Sequence, residues 1–347
     1  MKKILKKIVR VIFLYRLSNF SMEKNNAKVI IWIPKRGWRY FLSDLAVNDF
    51  GWISALSVNK IPFQVYRNKD IGKFKDKTII LNYHRNYLKE LKLTNYSNSM
   101  KFIIEELESQ GNRVIPSSNE VAYWENKNHM SKEFDILNIS TPKTYLCKGI
   151  KEVLSLNLNY PFLIKEEHSA SSMGVHKIEN EDVLREIVND GYFENNEIII
   201  VQELLNMRKD LRVIFAGDKV VHHYWRINNG KEWKPTSTGR GSSVDFENFP
   251  EKWRDFLIKE FLKMKLTTGA FDVAWHDDDL DSMPMILEVS PNYQMNPSVT
   301  NKEDLNAYGD YKKSLYFNDR SYDYQFIKQT FDIINGIVVN KKNNQKI

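Results

Sequence analysis

The chain has 347 residues, 42% of them hydrophobic and 13% aromatic, enough to bury a large core spread over two or three domains. Its single cysteine, Cys147, excludes an internal disulfide and points to a reducing, cytoplasmic setting, and no apolar run approaches the ~20 residues that a membrane span requires. The formal net charge of +7 is dispersed through a Lys-, Asn- and Ile-rich sequence with no long basic cluster beyond the N-terminus, so nothing but charge speaks for a nucleic-acid binder, and none is expected.

The N-terminal stretch MKKILKKIVRVIFLYRLSNF is a basic amphipathic segment, expected as a helix over 1–20. Lys2, Lys3, Lys6, Lys7, Arg10 and Arg16 are interspersed with apolar residues, and Ile4, Ile8, Val11, Ile12 and Tyr15 fall on one helical face. It lacks the long apolar region and small-residue cleavage site of a secretory signal. Two readings stay open: a helix lying on the anionic inner face of the membrane, and a first helix packed on the body with its lysines solvated.

Residues 21–116 read as an N-terminal α/β domain. Strand-like runs at Lys28–Ile33, Phe63–Arg67 and Thr78–Tyr83 alternate with helical stretches, one of which stops at Gly111, predicting a small parallel sheet. A second segment, 117–197, begins with helix caps in PSSNE and returns to a strand at STPKTYL. From there strands dominate through 198–340. VIFAGDKVVHH predicts a hairpin turning at Gly217-Asp218. GAFDVAWHDDDLDSMPMILEVSP predicts a second hairpin with the acidic run Asp277–Asp281 as a solvated tip, and SYDYQFIKQTFDIINGIVV predicts the last helix.

The chemistry starts from Glu288, a carboxylate at the end of the apolar run MILEV, where an uncompensated charge costs several kcal/mol. Asp272 sits on the neighbouring strand of the same hairpin, and antiparallel pairing can bring both carboxylates to one face. Two close carboxylates repel unless a cation lies between them, and a hard cation such as Mg²⁺ shares its oxygen ligands with phosphates. Candidate phosphate-binding groups exist. Lys165 ends the strand PFLIK and leads through the small-residue run HSASSMG to Gly174, where backbone N–H groups can approach an anion. Lys127, Arg212 and Arg240 are the other cations, and IIIVQELL is a buried strand ending at Gln202 and Glu203.

This order of elements, from about Ser117 to Pro297, resembles the ATP-grasp superfamily, most closely the branch of amino-acid ligases that includes ribosomal-protein glutamate ligases. Lys127 stands 15 residues before Pro142, and Lys165 stands nine before Gly174-Val175, as the paired lysines of the family do. VQELL is similar to its adenine hinge, KDLRVIFAGDKVV to its Asp-x-Arg strand and hairpin, GRGSS to its Arg-Gly-Gly loop, and FDV with ILEVSP to its paired metal-ligand strands. Six such pieces in order carry the resemblance; any one alone is weak.

The resemblance implies an ATP-grasp α/β fold, with a Rossmann-like domain followed by two α+β subdomains that clasp ATP. It implies phosphate contacts for Lys127 and Lys165, a lid containing Ser169, Ser171, Ser172 and Gly174, and an adenine hinge at Gln202, Glu203 and Leu204. Asp210 would lie near the ribose, Lys234 would stand in for a basic residue of the family, and Arg212 and Arg240 would stabilise phosphate or acyl phosphate. Asp272 and Glu288 would hold one or two Mg²⁺ ions, or Mn²⁺. The family carries Asn two residues after that glutamate; here the position is Ser290, so Ser290 or Asn292 would complete a second metal site. The implied reaction joins a carboxylate to an amine or amino acid through an acyl phosphate. The basic N-terminal segment would suit an acceptor at the inner membrane, such as a uronic-acid-bearing cell-surface glycan precursor, and a peptide or protein tail is the other acceptor class. A nucleotide-binding scaffold without turnover is the alternative, and a homo-oligomer is left open. Outside this set, His222 and His223 point to opposite faces of one strand and cannot easily share a metal, and Cys147 reads as an inert core thiol.

Overall fold

The structure is a computed structural model. It describes residues 2–17, 20–23, 26–33, 40–41, 44–81, 96–169, 174–192, 194, 197–230, 232–237, 241–246, 248–293 and 322–339. These form two compact units. One comprises Met1–Ala122, Ala216–Asp218 and Leu315–Ile347, the other Tyr123–Phe215 and Lys219–Ser314.

The first unit opens with helix α1, Lys2–Leu17. Its sheet is built from β1 (Val29–Trp32), β2 (Phe63–Tyr66), β3 (Thr78–Leu81) and β4 (Arg113–Ile115), in the order β2-β1-β3-β4 with every pair parallel. This is the small parallel sheet that the alternating pattern predicts, and β1 is buried along its whole length, as a strand covered on both faces must be. Helices α2 (Asp44–Val58) and α3 (Tyr96–Glu108) belong to this unit. Helix α9, Tyr322–Val338, which the sequence reading assigns to the 198–340 segment, instead packs on α2. The close approach is made at Gly51, where a Cβ would stand 2.6 Å from Ile334 Cδ1, and Asn59 Nδ2 donates to Asn335 Oδ1 at 2.8 Å.

The second unit contains two antiparallel-type sheets. The first has the order β5-β8-β6-β7, from β5 (Thr144–Cys147), β6 (Phe162–Glu166), β7 (Val175–Ile178) and β8 (Ile199–Glu203). One face buries Phe162, Ile164, Ile178, Ile199, Val201 and Cys147, which leaves Leu163, Lys165, Ile200 and Gln202 on the other by simple alternation. Burial pushes the Cys147 thiol above its ordinary pKa, consistent with a packing role.

The second sheet has the order β11-β10-β9-β12-β13, from β9 (Lys209–Ala216), β10 (Lys219–Ile227), β11 (Ser243–Asp245), β12 (Thr268–Ala274) and β13 (Met285–Ser290). Its apolar face carries Leu211, Val213, Phe215, Phe271 and Val273, packed against Leu257 and Phe261 of the helix Arg254–Lys263. Phe215 stacks on Phe261 at 4.4 Å and 10°, and Phe271 meets both rings edge-on. Truncating one such ring to Ala costs about 3–5 kcal/mol, so this face fixes the sheet. The opposite face is the polar one.

One irregularity decides what that polar face presents. Strand β13 pairs antiparallel with β12 as Phe271↔Val289, Asp272↔Glu288 and Val273↔Ile286, with the register shifting between Asp272 and Val273. Leu287 is therefore the extra residue of a bulge. In a regular strand Ile286 and Glu288 would share a face. The bulge instead sends Ile286 and Val289 into the core and turns Glu288 toward Asp272.

The acidic run after β12 is more than a solvated tip. Asp278 accepts from the N–H groups of Arg208 and Lys209 at 3.1–3.3 Å, and the Asp277 N–H donates to Asn206 O at 2.7 Å. The hairpin end thus clamps the connection between β8 and β9. Unpaired N–H groups at the start of β9 attract these carboxylates.

Candidate active site

Four strands of the second sheet contribute a row of charges to its polar face. Arg226 comes from β10, Asp210 and Arg212 from β9, Asp272 from β12 and Glu288 from β13. Arg212 grips Asp272 with two parallel bonds, Nε to Oδ1 at 2.7 Å and Nη2 to Oδ2 at 2.8 Å. Arg226 does the same to Asp210, with Nε to Oδ1 at 2.9 Å and Nη2 to Oδ2, and its Nη2 also reaches Asp272 Oδ2 at 2.8 Å. Burial alone would raise the Asp272 carboxyl, but Arg212 and Arg226 overcome it and hold the group well below the usual carboxylate range. Glu288 is directly opposite Asp272 in the ladder, a separation of about 4.5–5.5 Å between Cβ atoms. It has no hydrogen bond or ion pair to any described residue. Three carboxylates on this face thus meet two guanidinium groups, and Glu288 is the one left over.

Across from this row, Lys165 Nζ donates to Gln202 Oε1 at 2.6 Å, and Gln202 Nε2 donates to Thr144 Oγ1 at 2.9 Å. Burial, followed by repulsion from Lys127, pushes the Lys165 pKa down to about 8 against the attraction of Glu288 and Asp272. Lys165 therefore lies within electrostatic reach of Lys127 and of both carboxylates at once. Lys127 opens the helix Lys127–Ile136 after the N-cap Asn126. Its ammonium is buried and donates to Ser169 O at 2.6 Å and to Ser169 Oγ at 3.0 Å. One ammonium in reach of a second ammonium and of two carboxylates is a set of charges that a triphosphate and a divalent cation would balance together.

The remaining sequence-derived positions distribute as follows. Gly174 leads into β7 beside the end of β6, with Glu166 N–H donating to Gly174 O at 2.8 Å. It has φ +66°, and a Cβ there would stand 2.4 Å from the Glu166 carboxyl, so the turn demands glycine. Ser290 opposes Ala270 and lies on the same face as Glu288, two residues on, whereas Asn292 is exposed beyond the end of β13. Glu203 is exposed at the end of β8 with its N–H spent on Lys143 O at 2.9 Å, and Leu204 opens the connection that follows. Lys234 stands beside the loop at Gly241. Ser171, Ser172 and Arg240 lie outside the described residues.

Three of these sequence-derived side chains have partners within the protein: Gln202 accepts from Lys165, Ser169 accepts from Lys127, and Asp210 is a buried partner of Arg226. Arg226 itself escaped the sequence reading. A signal existed: it is the one charge between Val220 and Ile227, in a strand of aromatic and apolar residues that had to bury it. His222 and His223 point to opposite faces of β10, His222 beside Phe246 and His223 edge-on to Phe249.

The donor set fits a hard cation. Glu288 and Asp272 could supply oxygen ligands from adjoining strands, and Glu288 makes no hydrogen bond or ion pair with any described residue. No group of three or more His, Cys, Asp or Glu among the described residues is placed to hold a metal ion together, so the protein would furnish two carboxylates and leave the other positions to phosphate and water.

The profile of the RimK-like ATP-grasp domain matches residues 126–307, more than half of the chain. The chain belongs to the RimK-like ATP-grasp family. Two curated relatives are both coenzyme γ-F420-2:α-L-glutamate ligases. That of Methanococcus maripaludis is 25% identical over 136 residues, 37% of this chain and 47% of the relative. That of Methanocaldococcus jannaschii is 25% identical over 165 residues, 45% of this chain and 55% of the relative. The chain spans about half the length of the curated relatives it matches. Among solved structures, the RimK domain ATP-grasp protein of Sphaerobacter thermophilus superposes with a TM-score of 0.55 at 12% identity, over 90% of this chain and 100% of that one. The ATP-grasp ligase PsnB, complexed with minimal precursor, Mg and ADP, gives 0.51 at 12% identity, over 88% and 99%. At these identities the likeness is one of fold, and it establishes the ATP-grasp fold that the sequence order implied.

Proposed function

We propose that this ATP-grasp chain is an ADP-forming carboxylate–amine ligase. The observation that carries the reading is the placement of Lys165 within electrostatic reach of Lys127 and of the Asp272–Glu288 pair at once. In the proposed reaction a substrate carboxylate oxygen attacks the γ-phosphorus of ATP and the bond to the ADP oxygen breaks. The amine nitrogen of the second substrate then attacks the acyl carbon, inorganic phosphate leaves, and the nitrogen gives up a proton. Asp272 and Glu288 would hold Mg²⁺, which supplies charge neutralisation at the phosphates. Lys127 and Lys165 would bind those phosphates, and Arg212 and Arg240 would face the acyl phosphate. No side-chain nucleophile is required, because positioning and charge account for the catalysis.

The substrates we favour are an amino acid and a uronic-acid-bearing glycan precursor held at the inner face of the membrane, a choice supported by the basic N-terminal helix. The curated relatives, named as glutamate ligases, support an amino acid as the amine. The test is ADP and phosphate release by purified protein with Mg-ATP, pooled amino acids and candidate uronic acids, together with a mass gain on the acceptor. No release with any carboxylate and amine pair, alongside an Mg-ATP thermal shift, would instead establish a scaffold without turnover. The double grip of Arg212 and Arg226 on Asp272, with Ser290 in place of Asn, is what favours that second reading.

A further inference from the structure

Helix α1 is fastened to the first unit by Leu14, which is 2% exposed, and leaves a group of large apolar side chains outside. Phe13 and Tyr15, on either side of Leu14, touch the unit through their rings, each 5.6 Å between centroids from Phe50 and Phe41 respectively. Ile8 is 49% exposed, Val9 58%, Ile12 50%, Phe13 47% and Tyr15 55%. Ile8, Ile12 and Tyr15 recur at i, i+4 and i+7, with Val9 and Phe13 beside them, so they form one continuous face. Phe20 and Met22 extend the apolar surface past the helix end. A contiguous apolar face of this kind on a folded chain marks an interaction site.

The charge of the same segment says what kind. Residues 1–22 contain six Lys and Arg and no Asp or Glu. An apolar groove on a protein would satisfy the apolar face alone, whereas an unrelieved run of cations also calls for an anionic surface. Among the described residues no helix is long and apolar enough to cross a membrane, so α1 would lie in the plane. We infer that α1 docks the chain on a bilayer surface bearing anionic lipid headgroups, with Ile8, Val9, Ile12, Phe13 and Tyr15 entering the boundary between headgroups and acyl chains. The buried Leu14 keeps the helix attached to the unit while the outer face engages lipid. These residues are separate from the candidate active site, and the inference goes beyond the ligase reading.

The test is co-sedimentation of the full chain with vesicles of phosphatidylcholine alone and of phosphatidylcholine mixed with phosphatidylglycerol. Binding is expected to be ~10-fold or more tighter on the anionic vesicles and to weaken as salt is raised. The double variant Ile8→Asn/Ile12→Asn is expected to lose ~10-fold or more of that binding with an unchanged melting temperature, since both side chains already face water. Failure of the wild-type chain to bind phosphatidylglycerol vesicles, or equal binding by the double variant, overturns the inference. Self-association of the wild-type chain in solution that the double variant abolishes would assign the face to a second copy and overturn it too. ADP release measured on the same preparations reports the ligase reading separately, so either can fail without the other.

Discussion

Arg226 donates to Asp272 as well as to Asp210, so one guanidinium from β10 holds carboxylates of β9 and β12 in place. Asp210 is 1% exposed and Arg226 9%. Removing the arginine leaves Asp210 as an uncompensated buried charge, and breaking a buried pair from one side costs about 3–5 kcal/mol. Arg226→Met should therefore lower the unfolding free energy read from denaturant titration by an amount in that range, with a lower midpoint, and Asp210→Asn/Arg226→Met should recover part of it. Equal midpoints for wild type and Arg226→Met would show that the network is structurally idle.

Lys165 predicts two opposite pH trends. Burial, then Lys127, hold its pKa at about 8 in the folded state, below the ordinary lysine value of 10.5. Below about 8 both folded and unfolded chains keep the proton, and folding bears the cost of the buried charge. Between about 8 and 10.5 the unfolded chain holds more protons, so this group's contribution to stability improves as pH rises through that window. Phosphate binding needs the ammonium, so Mg-ATP affinity should fall as pH passes about 8, with proton uptake on binding near that pH. Calorimetry in buffers of different ionisation enthalpy measures the uptake, and Lys165→Met should abolish it and flatten the affinity profile.

The sequence made the ingredients of this site legible and left their wiring obscure. The spacings around Lys127 and Lys165, and the pairing of FDV with ILEV, pointed to four residues of which Lys165 lies within electrostatic reach of the other three. Their partners depend on register, which one-dimensional spacing does not contain. Asp-x-Arg puts Asp210 and Arg212 on one face of a strand, but only the pairing of four strands gives Asp210 to Arg226 and Arg212 to Asp272. The bulge at Leu287 is equally hidden, because an apolar run reads alike with or without the phase change that aims Glu288 at Asp272. Gln202 ends a buried strand, and its side chain joins Lys165, placed diagonally, to Thr144, directly opposite; such contacts between strands leave no local mark in the sequence.

Glu288 and Asp272 should respond differently to substitution. Glu288→Gln removes the carboxylate that makes no hydrogen bond or ion pair with any described residue, so the fold should keep its stability while metal dependence suffers. We expect Mg²⁺ affinity, read from the metal dependence of ADP release, to fall by at least the roughly 10–100-fold that loss of an outer-shell partner costs elsewhere. Asp272→Asn should instead lower the melting temperature, because Arg212 and Arg226 both lose a charged partner. A Glu288→Gln enzyme with unchanged metal dependence would remove Glu288 from the proposed ligand set.

Arg240 is a test of the acyl-phosphate assignment. If it stabilises charge that develops during transfer, Arg240→Ala should reduce turnover by about 10²–10³ while nucleotide binding changes far less. Single-turnover ADP formation together with nucleotide titration separates the two. Wild-type turnover in the variant would reject the role.

Gly174 joins fold and function at the end of the lid. Alanine there meets two obstacles: a backbone at φ +66°, and a Cβ 2.4 Å from the Glu166 carboxyl. The first is a strain that no neighbour can relieve, while the second can be relieved by shortening residue 166. Gly174→Ala should therefore destabilise by more than about 1 kcal/mol, and Gly174→Ala/Glu166→Ala should recover only the part owed to the clash. Because the turn sets where the lid leaves β6, one strand residue beyond Lys165, the Mg-ATP KM should rise in both variants. Thermal unfolding and the KM measured side by side decide the matter: a stable Gly174→Ala chain with an unaltered KM would mean that the lid tolerates a different turn and that its geometry does not govern phosphate binding.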